Sequence, residues 1–503
     1  MSNFKKTLAC LSLFLLLLAL VACNGGGQGA ETTAPDTEPE VTEAPGPAYT
    51  AETTLFESFS DLKKNVALFK DQLPCERSTK GYYAANDGGE ATYSLTASKP
   101  SGISIKVADG VFAKLKATES ILPEQMGAYS DGEHDDALAI NRAIALAKEE
   151  GLTLKLTDGD YKTAQTIQLS VDMQCNNSRI SYYGTGNSQP AIEAMNDGVD
   201  ITGALTVWMI NNGTANSGER CAILYGDYST GDSVHHCSVE NLTVLGGNPD
   251  MNGILITGGS SFINIGTITA PEGTNVGRLV LLHWGGCKGH RYADPNDASK
   301  GMVHEAGALP TTHPHDVTIG KIDASGIKKV GHKDGDKSAI TIAAGYNVTV
   351  DEIIVKDSCY AVALTGADMG FEFAKDPTVK GIGETGIYIK KITATAMRGP
   401  GIYMVGYPWF IQDLNANVNP ELKVDEYYFE GVGNDSYGIA ATGIAKLEVG
   451  KAVIKNAGEC AIAFAKNCKV AIIGDLTVEN CGTTPIQGES NIESLTITKS
   501  NLG

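Results

Sequence analysis

Six of the nine histidines (His283, His290, His304, His313, His315 and His332) fall between positions 283 and 332. At the heart of this cluster, His313-Pro314-His315-Asp316 sets two imidazoles two residues apart and follows the second with a carboxylate. Imidazole changes charge near neutrality, so it suits proton transfer, and it is also a common metal ligand. On an extended strand a His-x-His pair points both rings to one side, as a metal would require. Pro314 argues against a regular paired strand here, and no CxxC pair suggests zinc elsewhere, so no metal ligand is assigned. His315, Asp316 and His313 stand as candidates for proton transfer. What they do depends on the scaffold that carries them.

Composition narrows that scaffold. Of 503 residues 58 are glycine and only 19% are charged, a profile of short strands and glycine turns rather than amphipathic helices. The segments 241–260, 347–368, 386–408, 445–467 and 468–490 share one pattern: period-2 apolar alternation, an Asn, Asp or Gly turn, then a second short strand. All-strand repeats of about 20–25 residues predict a solenoid whose units stack on their neighbours, and a parallel β-helix is the natural solution. A leucine-rich repeat would require a fixed Leu and Asn spacing that is missing. One segment departs from the pattern. Residues 135–150 read as a helix, with Asp135 and Asp136 at its start, Ile140, Ile144 and Ala147 on one apolar face and Gly151 at its end.

Around that helix the chain resembles a known superfamily. Gly127-Ala128-x-x-Asp131-Gly132-x-x-Asp135-Asp136-x-x-Ala139-Ile140-x-x-Ala143-Ile144, followed by a strand and Gly159-Asp160-Tyr161, is similar to the opening segment of the pectate-lyase-like right-handed β-helix proteins. These include polygalacturonases, rhamnogalacturonases, uronan epimerases and phage tailspikes. The preceding segment 81–95, GYYAANDGGEATYSL, resembles the small β-rich cap of tailspike-like members. The resemblance implies an all-β, right-handed parallel β-helix over 121–503, with an N-terminal capping helix and a small cap region over 51–120. It also implies action on a polysaccharide, although the superfamily includes hydrolases, lyases, epimerases and binders.

The second strands align as 254–257, 280–283, 339–343, 361–365, 401–405 and 461–465. If Ile254, Val280, Ile340, Val362, Ile402 and Ile462 face the core, then Leu281, Thr341, Ala363, Tyr403 and, further along, His283 face outward. Extra length falls just after these strands, at about 285–312, 367–385 and 408–442, and loops leaving one corner of successive rungs would wall a cleft. In that cleft, His283, Glu305 and Asp368 join the catalytic candidates. Trp284, Tyr403, Tyr407 and Trp409 are candidates to stack on sugar rings, and Arg291 and Lys333 to meet a uronate carboxylate. Elimination or C5-epimerisation needs a base such as His315 and a cation or Ca²⁺ to neutralise the uronate. The Pro314-His315-Asp316 run resembles part of the Asp-Pro-His-Asp segment of mannuronan C5-epimerases, with His313 in place of the first Asp. Hydrolysis needs a carboxylate pair, for which Glu305 with Asp368, or Asp227 with Asp232, are the candidates. The polygalacturonase motif set is missing from the expected rung order.

The ends of the sequence bear on location. Lys5 and Lys6, an apolar run over 8–21 and Leu20-Val21-Ala22-Cys23 resemble a lipoprotein signal peptide (1–22), implying lipid attachment at Cys23. Residues 23–50, rich in Gly, Thr, Pro and Glu, read as a flexible tether. The expected location is the outer face of a bacterial cell membrane, held by lipid alone. A formal charge of −20 argues against nucleic acid as a partner. The cysteines outside this leader read as buried thiols of a repeating core. Two functional classes remain open: a carbohydrate-active enzyme of lyase, epimerase or glycoside hydrolase type, and a non-catalytic carbohydrate-binding or adhesive surface protein.

Overall fold

The computed structural model describes residues 47–184, 189–210, 220–286, 312–327, 337–365, 384–406 and 420–502, with 290–292 and 302–304 described by backbone alone. Cys23 lies outside the described residues, as do Glu305, Lys333, Asp368, Tyr407 and Trp409. The described chain forms two compact units.

The larger unit comprises Asp131–Glu133 and the chain from Leu156 onward, and it is a right-handed parallel β-helix. Short and long strands alternate along the chain, and each kind stacks only on its own kind. The short strands run from Ile167–Leu169 through Asn252–Ile256, Arg278–Leu282, Ser338–Ile342 and Tyr360–Thr365 to Ile486–Gln487, all in one sheet. The long strands, among them Ser238–Gly246, Ser261–Thr269, His315–Ala324, Tyr346–Lys356 and Ile387–Met397, form a second sheet. Every neighbouring pair within these two sets is parallel.

Register follows from the core. Ile254, Val280, Ile340, Val362, Ile402, Ile439 and Ile462 pair successively from rung to rung, and each is fully buried. A slip by one residue would turn this column outward, so burial fixes the stacking. The alignment read from sequence holds, with one correction. Glu421–Gly431 and Tyr437–Thr442 form a full rung, part of a stretch the sequence reading gave to an insertion. Its second strand, YGIAAT, is mostly small residues and so carries a weak hydrophobic signal.

A second correction concerns the outer face of the short-strand sheet. Leu281, Thr341, Ala363 and Tyr403 do point away from the core column, yet they are only 5, 6, 3 and 7% exposed. Tyr403 stacks on Tyr360 with ring centroids 5.2 Å apart, in an apolar cluster with Cys359, Val405, Tyr437 and Cys460. The eight described cysteines are all free thiols, seven of them buried.

The smaller unit comprises the described chain up to Ser130 together with His134–Lys155. Its five-stranded sheet joins Leu55–Phe56, Cys75–Thr79, Ala91–Thr96, Val111–Leu115 and Ile105–Ala108. The Asp87 carboxylate accepts N–H bonds from Tyr82, Tyr83, Ala84 and Gly89, which shapes the turn in the 81–95 segment. The expected helix is present as Ala137–Glu150 and ends at left-handed Gly151. The two aspartates at its start divide the work. Asp135 accepts the Ala137 N–H at 2.9 Å, whereas the Asp136 carboxylate turns back to the Tyr129 and Ser130 N–H groups.

The core column yields a direct expectation. Ile340→Ala removes buried methylenes between two fixed neighbours, and it should destabilise the β-helix by about 2–5 kcal/mol, against about 0.5–1.5 kcal/mol for Ile340→Val. Denaturant midpoints of the two variants and the parent chain test this ordering.

Candidate functional site

The chemistry-bearing residues gather at the corner where each short strand hands over to the next long strand. There, one position per rung is left-handed. His236, Phe262, Asp316, Asn347 and Gly386 have φ of 58°, 55°, 52°, 53° and 67°. The pairings of Ser261 with His315 and Tyr346, and of Ile263 with Val317, Val348 and Ile387, place these residues in one column along the solenoid. Gly, Asn and Asp adopt this conformation readily, but a phenylalanine there is strained. Phe262 is nevertheless 51% exposed, so core packing does not account for it.

The neighbouring column is His235, Ser261, His315 and Tyr346. The two columns together make a ridge of rings. His236 and Phe262 stack in parallel at 4.7 Å and 4°, and Phe262 meets His315 edge-on at 6.2 Å. His315 then stacks on Tyr346 at 4.7 Å and 14°. Beside the ridge runs an open groove of about 570 Å³, whose polar lining is Asn264, Asp316, Thr318, Asn347 and Thr349. A hydrogen-bond chain ties ridge to groove. His315 Nδ1 lies 2.7 Å from Asp316 Oδ2, and Asn347 Nδ2 donates to Asp316 Oδ1 at 3.2 Å. An ionised carboxylate only accepts, so the ring nitrogen facing it carries a proton, and in the neutral form of the ring His315 Nε2 is the acceptor.

Just across the same corner lies a second group. Gly285 and Thr312 form a clamp, exchanging backbone bonds of 2.9 and 3.0 Å. Within the stretch between them, His290–Tyr292 and Met302–His304 pair as antiparallel strands, with His290 opposite His304. Beside the clamp, Tyr228, His283 and Trp284 pack ring on ring at 4.9 to 5.7 Å. His313 is buried against this group. Burial, and then the nearby His283, lower its pKa to about 4, so it is neutral at pH 7. Burial, and then the Asp227 carboxylate, raise Glu193 above the usual carboxylate range. Asp227 itself accepts the Ser229 and Thr230 N–H groups.

The structure therefore divides the residues read from sequence. His315 and Asp316 meet in the groove wall, while His283, His313 and Trp284 form the second group. Tyr403 sits in the covered apolar cluster, and Arg291 falls in the His290–Tyr292 strand, of which only the backbone is described. Among the described residues, no group of three or more His, Cys, Asp or Glu side chains is placed to hold a metal. Phe262, His236, Tyr346, Asn264 and Asn347 were not read as site residues. The signal for them is a recurring five-residue run (HHCSV, SFINI, HDVTI, YNVTV), visible only once the first strands of the rungs are aligned.

No family model and no curated protein matches this chain. Among solved structures it is similar to the surface adhesin PfbA of Streptococcus pneumoniae, at 14% identity and a TM-score of 0.46 over 76% of this chain and 92% of the adhesin. It is also similar to a tailspike protein of the Acinetobacter baumannii bacteriophage Fri1, a capsular polysaccharide depolymerase, at 11% identity and 0.46 over 90% and 76%. A third similarity is to the catalytic domain of a GH87 alpha-1,3-glucanase, at 13% identity and 0.39 over 78% and 73%.

The depressed His313 pKa has a consequence for stability. The unfolded chain takes up this proton near pH 6.5 and the folded chain only near pH 4. The contribution of neutral His313 is thus complete above about pH 7 and is lost as pH falls from about 6.5 towards 4. Denaturant midpoints across this range should fall for the parent chain and fall less steeply for His313→Gln.

Proposed function

We propose that the protein is a polysaccharide-binding β-helix that lays a glycan chain along the corner of its rungs. The observation that carries this reading is Phe262: bulky, strained, half-exposed and stacked on His236. A strained exposed ring implies a use outside the fold's own packing. Flat rings with an open face suit the C–H faces of sugars, and the amides and hydroxyls beside them match sugar hydroxyls as both donors and acceptors. Rungs repeat at about 4.8 Å, so a ligand that is itself a linear repeat meets a corner position at each rung. The leader, and the tether as far as residue 46, lie outside the described residues. They fit presentation at the cell surface, held by a lipid on Cys23, where such a ligand would be met.

A second reading is enzymatic and rests on the His315–Asp316 pair. Asp316 holds the ring in the tautomer that leaves Nε2 as a base at the groove edge, which suits proton abstraction from a bound sugar. A lyase or C5-epimerase would use such a base. The described lining of this groove holds one carboxylate, Asp316, rather than the pair that a glycoside hydrolase employs.

Both readings are tested with one panel of glycans. The purified chain should bind at least one polysaccharide, and Phe262→Ala should weaken that binding about three- to tenfold, the value of one good ring contact. Products are followed by ultraviolet absorbance, new reducing ends and NMR. A product whose formation falls about a hundredfold or more in His315→Gln, with binding kept, selects the enzyme. Binding without product selects the binder, and no binding to any glycan refutes both.

A further inference from the structure

We infer that the groove takes neutral glycans, bearing hydroxyl or N-acetyl groups, in preference to uronans. This rests on the reading of the groove as a glycan site and names its substrate class. Four of the five polar lining side chains (Asn264, Thr318, Asn347 and Thr349) are uncharged, and the fifth is the Asp316 carboxylate. No lysine or arginine is among the described lining residues. Three of the four lysines further along the neighbouring strands are engaged elsewhere: Lys321 with Asp323 at 3.3 Å, Lys390 with Asp351 at 2.6 Å and Lys391 with Glu352 at 3.0 Å, while the fourth, Lys356, ends its strand away from the corner. Both oxygens of Asp316 are turned to the protein, one to His315 and one to Asn347. The carboxylate therefore fixes the groove wall while keeping its negative charge beside any ligand. A uronate entering here brings a second negative charge without a counter-charge from the described lining. At about 4 Å in water such a pair costs a factor of about five in affinity, and the cost fades with salt. Neutral sugars bear no such cost and find amide and hydroxyl partners for adjacent hydroxyls.

The test titrates the purified full chain with neutral oligosaccharides (glucan, xylan and chitin fragments) and with polygalacturonate and alginate, at low and high ionic strength. Neutral ligands should bind with little salt dependence, and uronans about fivefold or more weakly at low salt, with the gap closing as salt rises. Asp316→Asn keeps the side-chain shape and a residue type that tolerates φ near 52°. It should bring uronan affinity up towards that of neutral ligands. Preferential uronan binding that still depends on Phe262 overturns this inference and leaves the glycan site standing. Failure of both classes to bind, with Phe262→Ala indistinguishable from the parent, overturns the site itself. An unchanged thermal midpoint for Asp316→Asn keeps its result readable as binding rather than folding.

Discussion

Everything in the β-helix depends on one constraint, the rung-to-rung register set by a buried aliphatic column. Ile254, Val280, Ile340, Val362, Ile402, Ile439 and Ile462 each sit on the next, and the side-chain period of two makes any slip expose the whole column. Once that column is fixed, every other position in the rung becomes a column as well. A solenoid thus turns a local choice, such as which residue opens a strand, into a surface feature several rungs long. The ridge from His236 to Tyr346 is such a feature, assembled from residues up to 110 positions apart in sequence.

The left-handed corner gives that feature its chemistry. A residue at φ near +55° bends the chain where the strand opens, so its side chain leaves the strand's alternation at the corner. Gly386 meets the backbone demand and adds no side chain, and Asn347 meets it with an amide. At Asp316 and Phe262 the same geometry holds a carboxylate and a phenyl ring instead. The strain accepted at Phe262 and the bond between Asp316 and His315 belong to neighbouring rungs of one corner, which ties the ring stack and the polar groove wall to a single backbone device.

Much of the fold was legible in the sequence because burial leaves a periodic trace. The second strands could be aligned by their aliphatic residues, and the stretch from Gly127 to Tyr161 identified the helix and its surroundings. The rung at Glu421–Thr442 escaped because its second strand is small-residue-rich, with Ala441 in the place that Met404 and Phe464 hold in the adjacent rungs. The site was legible only in part. His315 and Asp316 announced themselves by residue type, whereas His236, Phe262, Asn347 and Gly386 differ in type and share a backbone angle and a place in the rung, which appear only once the first strands are aligned. Tyr403 shows the opposite failure. Alternation gave its direction correctly, but outward is not exposed where the outer face is itself apolar, as Tyr360, Val405 and Tyr437 make it here.

The solvent face of the long-strand sheet supports the proposal that a glycan binds at the corner. One of its columns reads Lys321, Glu352, Lys391, Glu426, Lys451, Asp475 and Lys499, with each residue paired in register to the next. The charges alternate in sign without a break. Each exposed pair contributes little alone, but alternation avoids the like-charge neighbours that stacking in register would otherwise impose. Further pairs, Lys423 with Glu448 and Lys455 with Glu479, repeat the device on other columns. Several charges on this face are committed to one another, as Lys390 is to Asp351, Lys391 to Glu352 and Lys446 to Glu448. The amides and hydroxyls of Asn264, Thr318 and Thr349 lie outside that lattice, beside rings that offer an open face. Polar capacity and apolar surface are therefore available together at the corner, and a ligand with both hydroxyls and flat C–H faces gains more there than on the charged face.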